Sequence, residues 1–146
     1  MKCADVNLLI AAAVDGHPHH ETAVSYVRRA LSSPEPLGIP SVVISGFVRI
    51  CTDRRVLIRP MSPTQAVDFV DVILSTPGST VLQPQARHWE VFSDLVRVHQ
   101  PRSADVTDVY LAALAIEQNA TLVSFDRGFA RFPELRWELP TDPRTD

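Results

Sequence analysis

The sequence predicts a three-layer α/β/α domain built on a central, mostly parallel sheet, and three observations predict it. Short apolar runs recur along the chain at residues 2–6, 37–39, 80–82, 121–125 and 136–139. Strands covered on both faces lose the polar alternation of half-exposed ones and read this way. The stretches between them place apolar residues three and four apart, which gives a helix one buried face. Strands alternating with helices imply a parallel sheet with helices on both sides.

Each element has its own signal. Residues 2–6 read as a buried strand. Pro18 to Leu31 reads as a helix with Ala23, Val24, Val27, Ala30 and Leu31 on one face. A strand near Leu37–Ile39 ends at Pro40, and Ser41 is placed to cap a helix carrying Val42, Val43, Phe47, Val48 and Cys51. Ser62-Pro63 opens the next helix, striped by Ala66, Phe69, Val70, Ile73 and Leu74. The strand Thr80–Leu82 leads to a helix over Ala86–His99 with Trp89, Phe92, Leu95 and Val96 inward. After the loop Gln100–Ser103 come the helix containing Asp108, the strand Thr121–Phe125 and a last short strand around Arg136–Leu139. Residues 1–140 are expected to form a single domain, and the polar tail Thr141–Asp146 is expected to fray.

Composition bounds the function. With 146 residues, 45% of them hydrophobic and 21% charged, the chain has the make-up of a globular domain that needs no staples. No apolar run approaches the roughly 20 residues that span a bilayer, and the N-terminus lacks a secretory pattern, so a cytoplasmic protein without membrane contact is expected. The two cysteines, Cys3 and Cys51, have neither disulfide-framework nor metal-site spacing and sit among apolar neighbours, as small buried hydrophobes do. A net charge of −3 provides no global field for attracting a polyanion. Thirteen of the fourteen basic residues are Arg, Lys2 being the exception. Arg suits bidentate phosphate contacts, but a G+C-rich coding bias gives the same composition.

Three acids carry the chemistry. Asp5 ends the first apolar run, Asp126 follows the run Ala120–Phe125, and Asp108 opens the strongly helical stretch Val109–Glu117. If the two runs are neighbouring parallel strands, their C-terminal ends share the sheet edge where open α/β folds bind ligands. Carboxylates gathered there repel one another unless a cation neutralises them, and hard oxygen donors suit Mg²⁺ or Mn²⁺. This points to a metal-dependent enzyme acting on a phosphate ester. Each acid also has a plainer reading: Asp5 as a strand-end or helix-capping residue, Asp108 as a helix cap, Asp126 as a turn residue before Arg127-Gly128.

Asp5-x-Asn7-x-Leu, Phe47-Val-Arg49-Ile-Cys-Thr52, Asp108-Val-Tyr-Leu-Ala-Ala-Leu-Ala, Leu122-Val-Ser124-Phe-Asp126-Arg-Gly128-Phe129 and the closing Trp137-Glu-Leu-Pro140 together resemble a PIN domain. More narrowly, they resemble the VapC toxins of type II toxin–antitoxin systems. The resemblance implies a Mg²⁺-dependent endoribonuclease, with Mn²⁺ as a possible substitute, that cuts structured RNA of the tRNA or rRNA class. It further implies a VapB-type antitoxin partner and a homodimer. Asp5, Asp108 and Asp126 match three acidic positions of the family, with Asp5 and Asp108 as the expected metal ligands. Asn7 and Ser124 match polar positions flanking the pocket.

Two positions depart from that pattern. Gly46 stands where the family usually has a Glu, and Gly128 where it often has an Asp. Asp105, one turn before Asp108, is a candidate extra oxygen donor. The departures sustain a rival reading, a nuclease-impaired module that binds RNA or antitoxin without cutting. A phosphoacceptor domain of the receiver type would need an Asp ending a mid-chain strand, where this chain has Gln83-Pro84. His17, His19 and His20 read first as solvated residues rather than zinc ligands. Arg49, Arg54, Arg55 and Arg102 are open between phosphate contacts and ordinary surface pairs. Val24 and Val43 are candidates for exposed antitoxin or dimer contacts, and Trp89 and Trp137 for core or interface.

Overall fold

The computed structural model describes residues 1–142. Its centre is β1 (Lys2–Ala4), hydrogen-bonded in parallel to β2 (Leu37–Pro40) on one side and β4 (Thr121–Val123) on the other. Beyond β2 lies β3 (Ser79–Leu82), and beyond β4 lies β5 (Trp137–Glu138), so the order is β3-β2-β1-β4-β5 and every pairing is parallel. Cys3 and Ala4 are fully buried, and all four residues of β2 are buried, as expected of strands covered on both faces.

Six helices cover the sheet: α1 (Val6–Ala13), α2 (His20–Leu31), α3 (Ser41–Cys51), α4 (Pro63–Leu74), α5 (His88–His99) and α6 (Asp105–Glu117). The pairs α1 with α2, α1 with α3, α3 with α4 and α5 with α6 pack against one another. Both ends of α4's opening turn are satisfied: Ser62 Oγ accepts from Gln65 N and Gln65 Oε1 accepts from Ser62 N, with Pro63 at the first helical position. Lys2, the only lysine, donates to Glu138 Oε2 at 2.7 Å, and the Tyr26 hydroxyl donates to Glu138 Oε1 at 2.5 Å, joining α2, β1 and β5. The chain winds outward from β1 through β2 to β3, then returns to the other side of β1. The reversal falls between β1 and β4, where an open parallel sheet forms a crevice at its carboxyl edge.

Several expectations need correction. The first strand ends at Ala4, and the apolar run after Asp5 is helix α1, which was not expected. Ser41 is the first residue of α3 and makes no capping bond; Pro40 holds the cap position. Trp89 is 72% exposed, with its neighbour His88 buried in its place, while Leu95 is buried as expected. Val43 is a core residue and Val24 is half-buried against the core, so neither is a free contact surface. Of the tail, the Thr141 carbonyl accepts from Arg29 Nη2 at 2.6 Å and Asp142 is buried, while residues 143–146 lie outside the described part. Cys3 and Cys51 are free and buried, and burial pushes their thiols up to about 12 and about 11. Among the described residues no helix is long and apolar enough to cross a membrane.

Candidate active site

The register of β1 against β4 sets Ala4 beside Val123, so the residues that follow each strand leave the sheet together. Asp5 N donates to Val123 O at 3.0 Å, extending the ladder by one bond before the chain turns into α1. Asp5 then caps that helix, its Oδ1 accepting from Val6 N at 2.6 Å. Its other oxygen, Oδ2, accepts from Ser124 Oγ at 2.6 Å and from Asn7 Nδ2 at 2.7 Å. Asn7 completes the tie across the crevice: Nδ2 also donates to Ser124 Oγ at 2.9 Å, and Oδ1 accepts from Phe125 N at 3.1 Å. Asp126 N donates to Ser124 Oγ at 2.9 Å. The two strand ends are thus locked together by one polar network centred on a carboxylate.

That carboxylate is only 7% exposed. Burial pushes the Asp5 pKa up to about 6, partly offset by the Ser124 hydroxyl and the Val6 N–H, and reinforced by the negative charges of Asp108 and Asp126. Among the described residues no basic side chain forms a salt bridge with it. Asp108 lies in the first turn of α6, half-buried, where the helix N-terminus favours an anion. Burial raises its pKa too, the adjacent Arg131 draws it down, and Asp126 and Asp105 push it up. Arg131 Nη2 donates to Asp108 Oδ2 at 3.1 Å. Asp126 is exposed and caps the 3-10 turn Arg127–Arg131, its Oδ1 accepting from Gly128 N at 2.7 Å. Asp105 begins α6 and is exposed.

The three predicted acids lie close enough to feel one another's charge. A preformed cage is a different matter: among the described residues no three His, Cys, Asp or Glu side chains converge to hold a metal ion. The donor set still fits one class of ion. Mg²⁺ keeps much of its water and is commonly held by one or two carboxylates together with substrate phosphates. Asp5 and Asp108 supply two such oxygen donors, with the remaining positions left to water and substrate.

The other candidates lie as follows. His19 is exposed and stacks on Phe125, with ring centroids 4.4 Å apart and planes 9° apart. His20 Nδ1 lies 2.9 Å from Ala11 O, and its Nε2 lies 3.7 Å from the Asp15 carboxylate. Arg49, Arg54 and Arg102 are exposed, and Arg55 pairs with Asp53 at 2.9 Å. Arg131 was not foreseen. Its partner lies 23 residues earlier, and no short motif signals such a pair.

Comparison with known proteins supplies the family. The model of the PIN domain family matches residues 2–135. Ribonuclease VapC43 of Mycobacterium tuberculosis is 42% identical over 145 residues, spanning 99% of both chains. Ribonuclease VapC33 of the same organism is 35% identical over 139 residues, or 95% of both. The chain belongs to the VapC family of PIN-domain proteins. Solved VapC-family structures share the fold at lower identity. They include VapBC2 from Rickettsia felis bound to a promoter DNA fragment (TM-score 0.71, 19% identity, 94% of this chain and 97% of that one). They also include VapC20 of M. tuberculosis, a sarcin-ricin loop cleaving toxin (TM-score 0.67, 20% identity, 93% and 99%).

Within this VapC-family chain, the two unexpected glycines lie beside Val6 and beside Asp126 and Arg131. A Cβ at Gly46 on α3 would meet Val6 Cγ2 at 3.7 Å, ordinary contact, so a Cβ fits there without displacement. A Cβ at Gly128 would stand 2.9 Å from both Arg131 Nη1 and Asp126 Oδ1.

Proposed function

We propose that this protein is the toxin of a type II toxin–antitoxin pair, an endoribonuclease that hydrolyses phosphodiester bonds in structured RNA in the cytoplasm and depends on Mg²⁺. The observation that carries the reading is the Asp5 carboxylate. It is buried at the end of the central strand beside two further acids, with three hydrogen bonds but, among the described residues, no salt-bridging cation. Burying an uncompensated charge is costly, and that cost is recovered when a cation binds. Kinship with VapC ribonucleases over the full chain supports the substrate class.

In this mechanism Asp5 and Asp108 would hold the cation. A bound Mg²⁺ supplies Lewis-acid stabilisation of charge on the phosphoryl oxygens and makes water a better nucleophile. Ser124 and Asn7 fix the Asp5 carboxylate by donating to Oδ2, so its orientation is set before substrate arrives. Asp126 has Oδ1 taken by the Gly128 N–H, which leaves Oδ2 to orient the attacking water and accept its proton. The antitoxin is of the VapB type. An arginine on its tail would find the same carboxylates and block cation and RNA together. Its apolar part would rest in the groove of about 630 Å³ lined by Val14, Pro18, Val56, Ile58 and Met61. The toxin itself is a homodimer in this reading.

A second reading keeps the fold and loses the cut. Gly46 favours it, because the crevice then holds two cation ligands where a Glu would add a third. One experiment separates the two: total cellular RNA incubated with Mg²⁺ or Mn²⁺, with EDTA and Asp5→Asn as controls and Gly46→Glu alongside. Discrete cuts that vanish with EDTA and with Asp5→Asn are expected. Cutting by Gly46→Glu alone would make the natural chain a binding module. Cutting that survives EDTA would overturn the metal-dependent mechanism.

A further inference from the structure

Arg131 takes no part in the mechanism above, although its guanidinium lies in the crevice. Nη2 donates to Asp108 Oδ2 at 3.1 Å and Nη1 donates to Gly128 O at 2.9 Å. The group lies over the Phe132 ring, 4.5 Å from its centroid. The side chain is 35% exposed, so it is neither buried nor free in solvent. A Cβ at position 128 would stand 2.9 Å from Nη1, so a side chain there would require the flexible end of Arg131 to shift.

We infer that Arg131 is a substrate-positioning residue, docked on Asp108 in the free protein and transferred to an RNA phosphate when substrate binds. The inference rests on the metal-dependent reading of the site. Its physical basis is a comparison of partners. An ion pair with each partner about one-third exposed is weak, so it is readily given up. A guanidinium has five N–H donors in a planar fork that matches phosphate, and among the described residues two bonds engage it. The Phe132 face can keep hold of the guanidinium's stem while the fork turns outward. Until that happens Arg131 and the cation compete for the same Asp108 oxygen. RNA that draws Arg131 away frees the carboxylate, so RNA and cation each tighten the other's binding by the same factor. The cation then assembles in the crevice mainly when there is a phosphate to share it.

The test uses the full chain with Arg131→Gln and Arg131→Lys, and Asp5→Asn as control. Mn²⁺ affinity is measured by calorimetry without RNA, and affinity for a fluorescein-labelled tRNA is measured in EDTA. Removing the competing charge should tighten Mn²⁺ binding in Arg131→Gln by about fivefold. Loss of a charged bond to phosphate should weaken tRNA binding by about tenfold. Arg131→Lys keeps the charge without the fork. It should bind Mn²⁺ within about twofold of wild type and show an intermediate tRNA affinity. An unchanged Mn²⁺ affinity or an unchanged tRNA affinity in Arg131→Gln overturns the inference, and urea midpoints then show whether the residue is only a structural tie. If neither wild type nor Arg131→Gln binds Mn²⁺, or if Asp5→Asn leaves the titration intact, the metal reading itself fails, which is a separate result.

Discussion

At the scale of single residues, Asp5 combines three tasks that usually fall to different side chains. It caps α1, it ties β1 to β4 through Ser124 and Asn7, and it offers a charge to the crevice. The first two are met by a neutral or a charged group, whereas the third costs stability. The folded-state pKa of about 6 lies above the ordinary 3.8, so the folded protein holds the extra proton between pH 4 and pH 6. Stability attributed to this group is therefore greatest below pH 4 and is lost as pH rises through 6. Asp5→Asn carries no such penalty. In EDTA, its stability relative to wild type is expected to grow by about 2–3 kcal/mol between pH 4 and pH 7.5, read from urea unfolding. A constant difference across that window would show that Asp5 is not strained by its charge. With saturating Mn²⁺ the order should reverse, because only wild type gains binding energy.

At the scale of elements, the strands were legible and one helix was not. β1 and β4 announce themselves as short apolar runs ended by acids, and pairing those runs in parallel was enough to place Asp5 and Asp126 at one edge. Helix α1 escaped because Val6–Ala13 is apolar on nearly every side, and a short continuous apolar run is read as strand or buried helix with equal ease. In the stripe expected for α5, Leu95 is buried and Phe92 and Val96 pack against the core, whereas Trp89, at the start of the helix, points outward. Arg131 could not be found at all, since its position depends on a partner in another element. Longer-range ties of this kind also hold the sheet edge. Burial and the Glu138 carboxylate push the Tyr26 hydroxyl's pKa up, so it remains a donor at all physiological pH. Tyr26→Phe leaves Glu138 with Lys2 and is expected to cost about 1 kcal/mol, as a lower urea midpoint with an unchanged slope. A changed slope would indicate instead that α2 has loosened from the sheet.

At the scale of the whole molecule, an enzyme for a polyanion with a net charge of −3 and an acidic crevice presents a problem of attraction. A uniformly basic nuclease gathers RNA from a distance and pays for it with strong salt dependence. This chain has its thirteen arginines dispersed, several of them already paired: Arg55 with Asp53, Arg97 with Asp94, Arg131 with Asp108. Under the proposed function this low net charge predicts local contacts with RNA rather than long-range attraction. Each phosphate neutralised adds about 0.7–0.9 to the slope of log affinity against log salt. With two or three phosphates contacted, a slope of about −2 is expected for a labelled tRNA between 50 and 200 mM KCl in EDTA. Arg131→Gln should reduce that slope by nearly one unit, because it removes one of the contacts rather than a diffuse share of the field. A wild-type slope steeper than about −5 would mean that an extended basic surface binds the RNA, and the crevice would then be only one part of a larger interface.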